Sequence, residues 1–221
     1  MIIIKPTCGL CNRLCVIFSW YVKSQRENKK LFVIWNKTSV CTEMFLKYFQ
    51  PIEGILFEEK ISYRKIDYTG YMRLTGYPED YSKLRLLPYM QKIVDQKRLI
   101  LQNNYVAVHI RRTDYVTMAK ASNNYTTDEQ FMKFIDIECK DKMLYIATDN
   151  KETYDMFKKK YNKLVKLDYH PVVLGLRKTT LQDSIIDLYM CVYSNKFMGS
   201  GSSSFTNLIY KLRKLYAIKN K

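Results

Sequence analysis

The chain has 221 residues, of which 47% are hydrophobic and 26% are charged, and it contains only 7 Gly and 5 Pro. This composition excludes a disordered or low-complexity chain and suits one large α/β domain or two small ones with a buried core. Lys and Arg number 37 against 21 Asp and Glu, which is a formal net charge of +16. Such a charge attracts nucleic acid, an anionic membrane or a phosphorylated small molecule, although many of the lysines are expected simply to be solvated.

No window approaches the ~18 apolar residues that a membrane span needs, and the apolar residues 1–4 are too few for a signal peptide. We therefore expect a soluble, cytoplasmic protein without a transmembrane segment. In that compartment the six cysteines are expected to be free thiols. The spacing Cys8-x2-Cys11-x3-Cys15 leaves a metal site as an alternative, but no fourth ligand stands nearby.

The first 35 residues predict a strand (1–4), a helix (12–23) and a second strand (31–35), an order typical of a parallel α/β sheet. The next stretch is less regular. Its predicted elements are helices at 43–49 and 88–97 and strands at 54–57 and 61–66.

A polar break at residues 102–104 predicts a domain boundary, so that the chain divides into domains 1–104 and 105–221. After this break, predicted strands again alternate with predicted helices. The predicted strands are 105–110, 143–147, 164–167 and 195–198. The predicted helices are 128–139, 152–161, 181–194 and a last helix after residue 204. The fold class is therefore α/β with parallel sheets.

Four polar clusters follow predicted strands. They comprise residues 9–13, 109–114, 148–150 and 199–204. Because ligands of open parallel sheets bind beyond the carboxyl ends of the strands, we expect the clusters to converge on one cleft.

Arg111 and Arg112 are the most specific feature of these clusters. Neighbouring residues of a strand point to opposite faces, so one arginine is expected to face the cleft while the other pairs with an acid such as Asp114. The alternative is a surface salt bridge. His109, beside the pair, is either a structural histidine or part of the site.

The small-residue loop 199–204 leads into the last helix, where backbone N–H groups and the helix dipole suit a phosphate. Ser202, Ser203 and Ser204 add hydroxyl donors, and one of them is expected to cap the helix. Simple capping is the alternative explanation.

The loop with Gly9, Asn12 and Arg13 lacks the dinucleotide and P-loop glycine patterns. In it, Asn12 either orients a hydroxyl group or caps the helix, and Arg13 is a candidate anion ligand. Asp149 ends a strand. Asp187 lies in an apolar helix, either as an exposed charge or as an anchor for a ligand or an arginine.

Together these residues resemble a family. Residues 109–114 (HIRRTD) are similar to the H-x-R-R-x-D motif of GT-B glycosyltransferases that use GDP-fucose, the α1,2-, α1,6- and protein-O-fucosyltransferase superfamily. Residues 145–150 (YIATDN) resemble its second motif, and residues 186–188 (IDL) with 201–205 (GSSSF) resemble its third. Residues 9–14 (GLCNRL) are similar to its N-terminal G-x-x-N-[QR] loop.

The resemblance implies a GT-B-like fold of two Rossmann-like domains with the donor cleft between them, the N-terminal domain being reduced. It implies an inverting, metal-independent fucosyltransferase with no cofactor, acting on a glycan or protein acceptor. A soluble form implies a prokaryotic or viral source. Alternatives are another nucleotide-sugar donor, a donor-binding protein without turnover, and a basic nucleic-acid- or polyanion-binding protein, although no nucleic-acid-binding motif is present.

The resemblance also implies residue roles. One of Arg111 and Arg112 would hold the β-phosphate, and Asn12 would lie on the acceptor side near the reacting carbon. The remaining donor-site residues would line the nucleotide and phosphate pocket, and they are His109, Asp114, Asp149, Asp187, Ser202, Ser203, Ser204, Gly9 and Arg13. Residues 116–120 contain no acid that could act as base, so either another carboxylate, such as Asp114, or the departing phosphate takes the acceptor proton.

Overall fold

The computed structural model of the protein describes residues 1–60, 65–113, 116–161 and 179–219, with residues 218 and 219 described by their backbone only. The chain forms two compact units, Met1–Met90 and Gln91–Lys221. The division therefore precedes the boundary that we predict after residue 104. The reason lies in the second unit, where Arg98 stacks on Tyr193 with its guanidinium carbon 4.4 Å from the ring centroid. The residues before the polar break thus already pack within that unit.

The first unit is a four-stranded parallel sheet with one long helix. Its elements are β1 (Ile2–Pro6), α1 (Leu10–Arg26), β2 (Leu31–Ile34), β3 (Ile55–Glu58) and β4 (Tyr68–Gly70). The strand order is β3-β2-β1-β4, and every pairing is parallel. Two predictions need correction: the helix at 43–49 is only a 3-10 turn at Phe45–Lys47, and β4 is an additional strand. The strand predicted at 61–66 falls largely outside the described residues.

The second unit contains a three-stranded parallel sheet in the order β6-β5-β7. Its strands are β5 (Tyr105–Ile110), β6 (Met143–Thr148) and β7 (Lys196–Gly199). Its helices are α3 (Val116–Ala121), α4 (Asp128–Glu138), α5 (Lys151–Lys160), α6 (Leu181–Tyr193) and α7 (Ser204–Lys219), and α2 (Pro88–Ile100) leads into it. The predicted helices and strands are confirmed here except for 164–167, which lies outside the described residues, and α3 is an additional helix.

Local capping fixes where the helices of the second unit begin. Thr127 and Gln130 form a reciprocal capping box at the start of α4, with the Thr127 Oγ1 accepting the Gln130 N–H at 3.3 Å. Asn150 accepts the Thr153 N–H at 2.7 Å and thereby caps α5 directly behind β6. Because the Asn150 cap follows β6 so closely, the loop between this strand and α5 is short.

None of the helices in the described part of the chain is both long and apolar enough to cross a membrane. All six cysteines fall within the described ranges, and none of them forms a disulfide, as expected for thiols. Cys11, Cys41 and Cys191 are buried. Over these same ranges, no group of three or more His, Cys, Asp or Glu side chains is arranged to hold a metal ion.

Candidate functional site

The strand register of the second unit brings three of the four polar clusters together. His109 of β5 pairs with Ala147 of β6 on one side and with Gly199 of β7 on the other. The residues that follow these strands therefore meet at one edge of the sheet, as expected for a ligand site of a parallel sheet. The residues that follow β5 and β7 are in direct contact at this edge, because the Arg111 N–H donates to the Ser200 Oγ at 2.9 Å.

Arg112 is a buried, structural arginine. Its Nη2 donates to the Asp128 carboxylate at 2.6 Å and to the Thr126 carbonyl at 3.1 Å. The guanidinium also lies over the rings of Tyr125 and Phe131, at 5.0 Å and 5.7 Å from their centroids. Only 9% of the side chain is exposed. This guanidinium is committed to holding the loop, and its acidic partner is Asp128.

Arg111 has different surroundings. Its side chain is 31% exposed, and its Nε lies 4.0 Å from the Asp149 carboxylate, beyond hydrogen-bonding distance. Of the two arginines, Arg111 is therefore the more exposed one, and it lies at the carboxyl edge of the sheet.

Asp149 organises the backbone of the arginine motif. Its carboxylate accepts the Arg112 N–H at 2.9 Å and the Thr113 hydroxyl at 2.5 Å. A carboxylate that accepts these bonds holds residues 111–113 in one conformation. The contacts of Asp149 are thus those of a positioning residue, while 21% of its side chain stays exposed. Asp114, the last residue of the motif, lies outside the described residues.

The loop between β7 and α7 packs through its two glycines. A Cβ on Gly199 would lie 2.5 Å from Thr206 Oγ1, and one on Gly201 would lie 2.4 Å from the Asn124 carbonyl oxygen, so neither position admits a side chain without movement. Ser200 is fully buried, and its N–H donates to the His109 carbonyl at 2.9 Å. The Ser200–His109 bond thus fastens this loop to β5, and Gly201 packs closely against the Asn124 carbonyl.

The three serines of the loop differ in exposure. Ser203 is 3% exposed, and its Oγ accepts the Thr206 N–H at 3.5 Å as the cap of α7. Ser202 and Ser204 are exposed, and Ser202 adopts a left-handed conformation with φ of 53°. The exposed hydroxyls at the N-terminus of α7, where the helix dipole is positive, are therefore those of Ser202 and Ser204.

His109 is buried between the sheet and α7. Its Nδ1 lies 2.8 Å from the Thr206 Oγ1, and its ring is 4.6 Å from that of Phe205. Burial and, to a smaller extent, the Arg111 charge lower the pKa of His109, while the Asp149 carboxylate acts in the opposite direction. The imidazole is therefore neutral at pH 7 and supports the edge of the site as an uncharged group.

Asp187 is 8% exposed in α6, and its Oδ1 accepts the Tyr145 hydroxyl at 2.5 Å. The exposed-face alternative for this carboxylate is thus wrong. Desolvation and the neighbouring Asp187 charge raise the pKa of the Tyr145 hydroxyl well above its ordinary value, so Tyr145 remains a donor. The carboxylate is held in one orientation within the second unit.

The remaining predicted residues belong to the first unit. Gly9 is the N-cap residue of α1 and provides no side-chain cap, so Asn12, half-buried in the first turn, is not the cap. Arg13 is only 1% exposed. Its three guanidinium nitrogens donate to the Cys8 carbonyl, the Asn36 carbonyl and the Thr38 hydroxyl. The predicted anion-binding role of Arg13 needs correction, because this guanidinium ties loops of the first unit together in its interior.

The structure also adds residues to the site. Ser200 and Thr206 contact the motif directly, and Thr126 contacts both Arg112 and Gly201. Ser200 belongs to a cluster that the sequence indicates. No local pattern marks Thr126, because its partners lie 14 and 75 residues away in the chain.

Two parallel α/β units, with an arginine and a helix N-terminus at the carboxyl edge of the second sheet, are the arrangement expected of a glycosyltransferase of the GT-B class. A sequence model of the family described as GDP-fucose protein O-fucosyltransferase matches residues 19–216. The chain belongs to this family, and it is an enzyme of the fucosyltransferase type. No curated protein sequence matches the chain.

Solved structures of two fucosyltransferases share the fold. One is the α1,6-fucosyltransferase NodZ from Bradyrhizobium, in a crystal soaked with GDP-fucose, with a TM-score of 0.67 and 12% sequence identity. The match covers 96% of this chain and 92% of NodZ. The other is POFUT1 in its apo form, with a TM-score of 0.70, 11% identity and coverage of 96% of this chain and 94% of POFUT1. At these identities the likeness shows the fold.

Proposed function

We propose that the protein binds GDP-fucose at the carboxyl edge of the second sheet and transfers fucose to a glycan or protein acceptor. The observation that carries this proposal is the different environment of the two arginines. Arg112 is fixed by Asp128 and the Thr126 carbonyl, whereas Arg111 stays 31% exposed beside the N-terminus of α7. A diphosphate that reaches this edge meets one guanidinium and one helix dipole.

The proposed chemistry follows from where charge develops. Fucosyl transfer proceeds through an oxocarbenium-like state while GDP departs as an anion, and the enzyme has to stabilise the charge that grows on the β-phosphate. Arg111, the hydroxyls of Ser202 and Ser204, and the dipole of α7 can supply this stabilisation from the protein itself. A transfer that inverts the configuration at carbon 1 and requires no metal ion belongs to this proposal.

The other site residues take supporting roles in the proposal. Asp149 holds the arginine motif, the neutral His109 supports its edge, and Asp187 contacts the guanine or the ribose. Asn12 orients the acceptor hydroxyl. The base remains either a carboxylate such as Asp114 or the departing phosphate, since α3 carries no acid at residues 116–121.

Calorimetric titration of GDP, GDP-fucose, GDP-mannose and UDP-glucose tests the donor site, with EDTA present throughout. We expect GDP and GDP-fucose to bind, and Arg111→Ala to weaken both about 10- to 100-fold, the effect of losing hydrogen bonds from a charged donor. Arg98→Ala removes the same charge from α2 and is the matched control, for which we expect unchanged affinity. GDP release from GDP-fucose in the presence of glycan and protein acceptors then reports turnover.

The titration also has outcomes that contradict the proposal. Preferential binding of UDP-glucose would keep the transferase class and overturn the assignment of fucose. Failure of every nucleotide to bind would overturn the donor site. Turnover that EDTA abolishes would contradict the metal-independent mechanism while leaving the donor assignment in place.

A further inference from the structure

The connection between α3 and α4 (residues 122–127) contacts both halves of the candidate site. The carbonyl of Thr126 accepts the Arg112 Nη2–H at 3.1 Å, and its Oγ1 accepts the Gly201 N–H at 3.0 Å. One residue thus joins the arginine motif to the loop before α7. Neither partner is close to Thr126 in the chain, so the contact exists only in the folded unit.

The connection between α3 and α4 packs closely against the loop before α7 and against Arg112. The Asn124 carbonyl oxygen stands where a Cβ on Gly201 would approach it to 2.4 Å, which leaves room for glycine alone. Tyr125 contributes one of the two rings against which the Arg112 guanidinium lies. Movement of this connection would therefore shift the arginine motif and the loop before α7 together.

Two backbone donors of the loop before α7 are engaged, one of them by the hydroxyl of Thr126. This hydroxyl engages the Gly201 N–H, and the Ser200 N–H is engaged by the His109 carbonyl. In the same loop Ser202 and Ser204 are the exposed residues. Thr126, which supplies one of the two acceptors, lies outside every motif of the sequence.

We infer that Thr126 is a positioning residue for the diphosphate part of the donor: it sets the loop before α7 at the correct distance from Arg111. This inference rests on the proposed function. Thr126 acts through Arg112 and Gly201. Small errors in such a distance are expensive, because a displacement of about 1 Å in a catalytic arrangement can reduce the rate about 100-fold.

Three variants test this role. Thr126→Val removes the hydroxyl at nearly constant shape, Thr126→Ser retains it, and Thr127→Val makes the same change one residue later. Thr127 caps α4 through the Gln130 N–H, and in the described residues no hydrogen bond joins its side chain to Arg112 or to the loop before α7. Its loss is therefore expected to act mainly on the stability of α4. Calorimetry with GDP and with GMP, which lacks the β-phosphate, separates diphosphate contacts from base contacts, and melting temperatures report folding.

We expect Thr126→Val to weaken GDP binding about tenfold and to leave GMP binding unchanged, and Thr126→Ser to bind GDP as the wild type does. Thr127→Val is expected to lower the melting temperature with wild-type affinity for both nucleotides. Equal GDP affinity of wild type and Thr126→Val, or an equal loss for GDP and GMP, would overturn the inference. A wild type that does not bind GDP would overturn the proposed function itself, and the inference with it.

Discussion

Arg111 and Arg112 are neighbours in the chain with the same side chain, and their surroundings give them different roles. They follow β5, where neighbouring side chains point to opposite sides of the chain. One side is occupied by Asp128 and the ring of Phe131, which fix Arg112. The other side is the sheet edge, where Arg111 stays partly exposed. The bonds to Asp128 and to the Thr126 carbonyl, together with the aromatic packing, make the Arg112 guanidinium structural, whereas the proposed phosphate contact falls to the more exposed Arg111.

His109 predicts a dependence of stability on pH. Burial lowers its pKa from 6.5 in the unfolded chain to about 3 in the folded protein. Below pH 6.5 the unfolded state therefore binds a proton that the folded state does not, and stability falls as the pH falls. Between pH 7 and pH 5 we expect this residue to cost the wild type about 2 kcal/mol of unfolding free energy.

Urea unfolding of the wild type and of His109→Gln at these two pH values measures this contribution. Glutamine does not titrate, so the loss of stability between pH 7 and pH 5 should be smaller in the variant by about the same amount. Equal losses in both proteins would show that the pKa of His109 is the same in the folded and unfolded states.

At the scale of elements, one side chain of α7 closes the end of α6. Arg213 donates from its Nη1 to the carbonyl oxygens of Cys191, Val192 and Ser194, at 3.0, 3.0 and 2.7 Å. The last carbonyls of a helix lack partners within the helix, and a cation there also favours the dipole. This contact explains how α6 ends at Tyr193 and how β7 can begin three residues later.

We expect Arg213→Met to lower the unfolding free energy by about 3 kcal/mol, because several buried carbonyls lose a charged donor. Lys214→Met removes the same charge from the next, exposed position and should change stability by less than about 0.5 kcal/mol. Urea unfolding of the wild type and the two variants measures the difference. Equal stability of Arg213→Met and Lys214→Met would mean that solvent replaces the arginine at no cost.

For the molecule as a whole, the net charge of +16 is compatible with two kinds of anionic ligand. A polyanion that contacts six to ten basic groups loses about 10³- to 10⁵-fold in affinity between 50 and 200 mM salt. GDP engages one or two such groups in the proposed site, so its affinity should fall about tenfold at most. Titrations of GDP at both salt concentrations check this expectation.

A steep loss of GDP affinity over this range would instead mean that the nucleotide binds diffusely to surface lysines. Tight, salt-sensitive binding of single-stranded RNA, in the absence of nucleotide binding, would favour the alternative of a basic nucleic-acid-binding protein. The two outcomes are distinguishable because only the built site depends on Arg111.

Much of the second unit could be predicted from local patterns in the sequence. β5 has the bounds predicted from its apolar run, 105–110, and α4 begins at Asp128, the first residue of the predicted helix 128–139. The clusters at 109–114, 148–150 and 199–204 each follow a strand of a parallel sheet. It was therefore also predictable that they would lie at the same edge of that sheet. These features depend on hydrophobic periodicity, on helix caps and on the order of the strands along the chain. Residues that are close in the sequence determine all three.

Only the tertiary structure decided the remaining features, because their partners are distant in the chain. The 3-10 turn at Phe45–Lys47 replaces a predicted helix where Phe45 stacks on Phe57 at 4.1 Å between ring centroids. Arg13 became an interior residue through carbonyl groups that the chain folds around it. Likewise, the different exposure of Arg111 and Arg112 and the contacts of Thr126 depend on which loop packs on which strand, because a buried polar group needs the partners that the fold supplies.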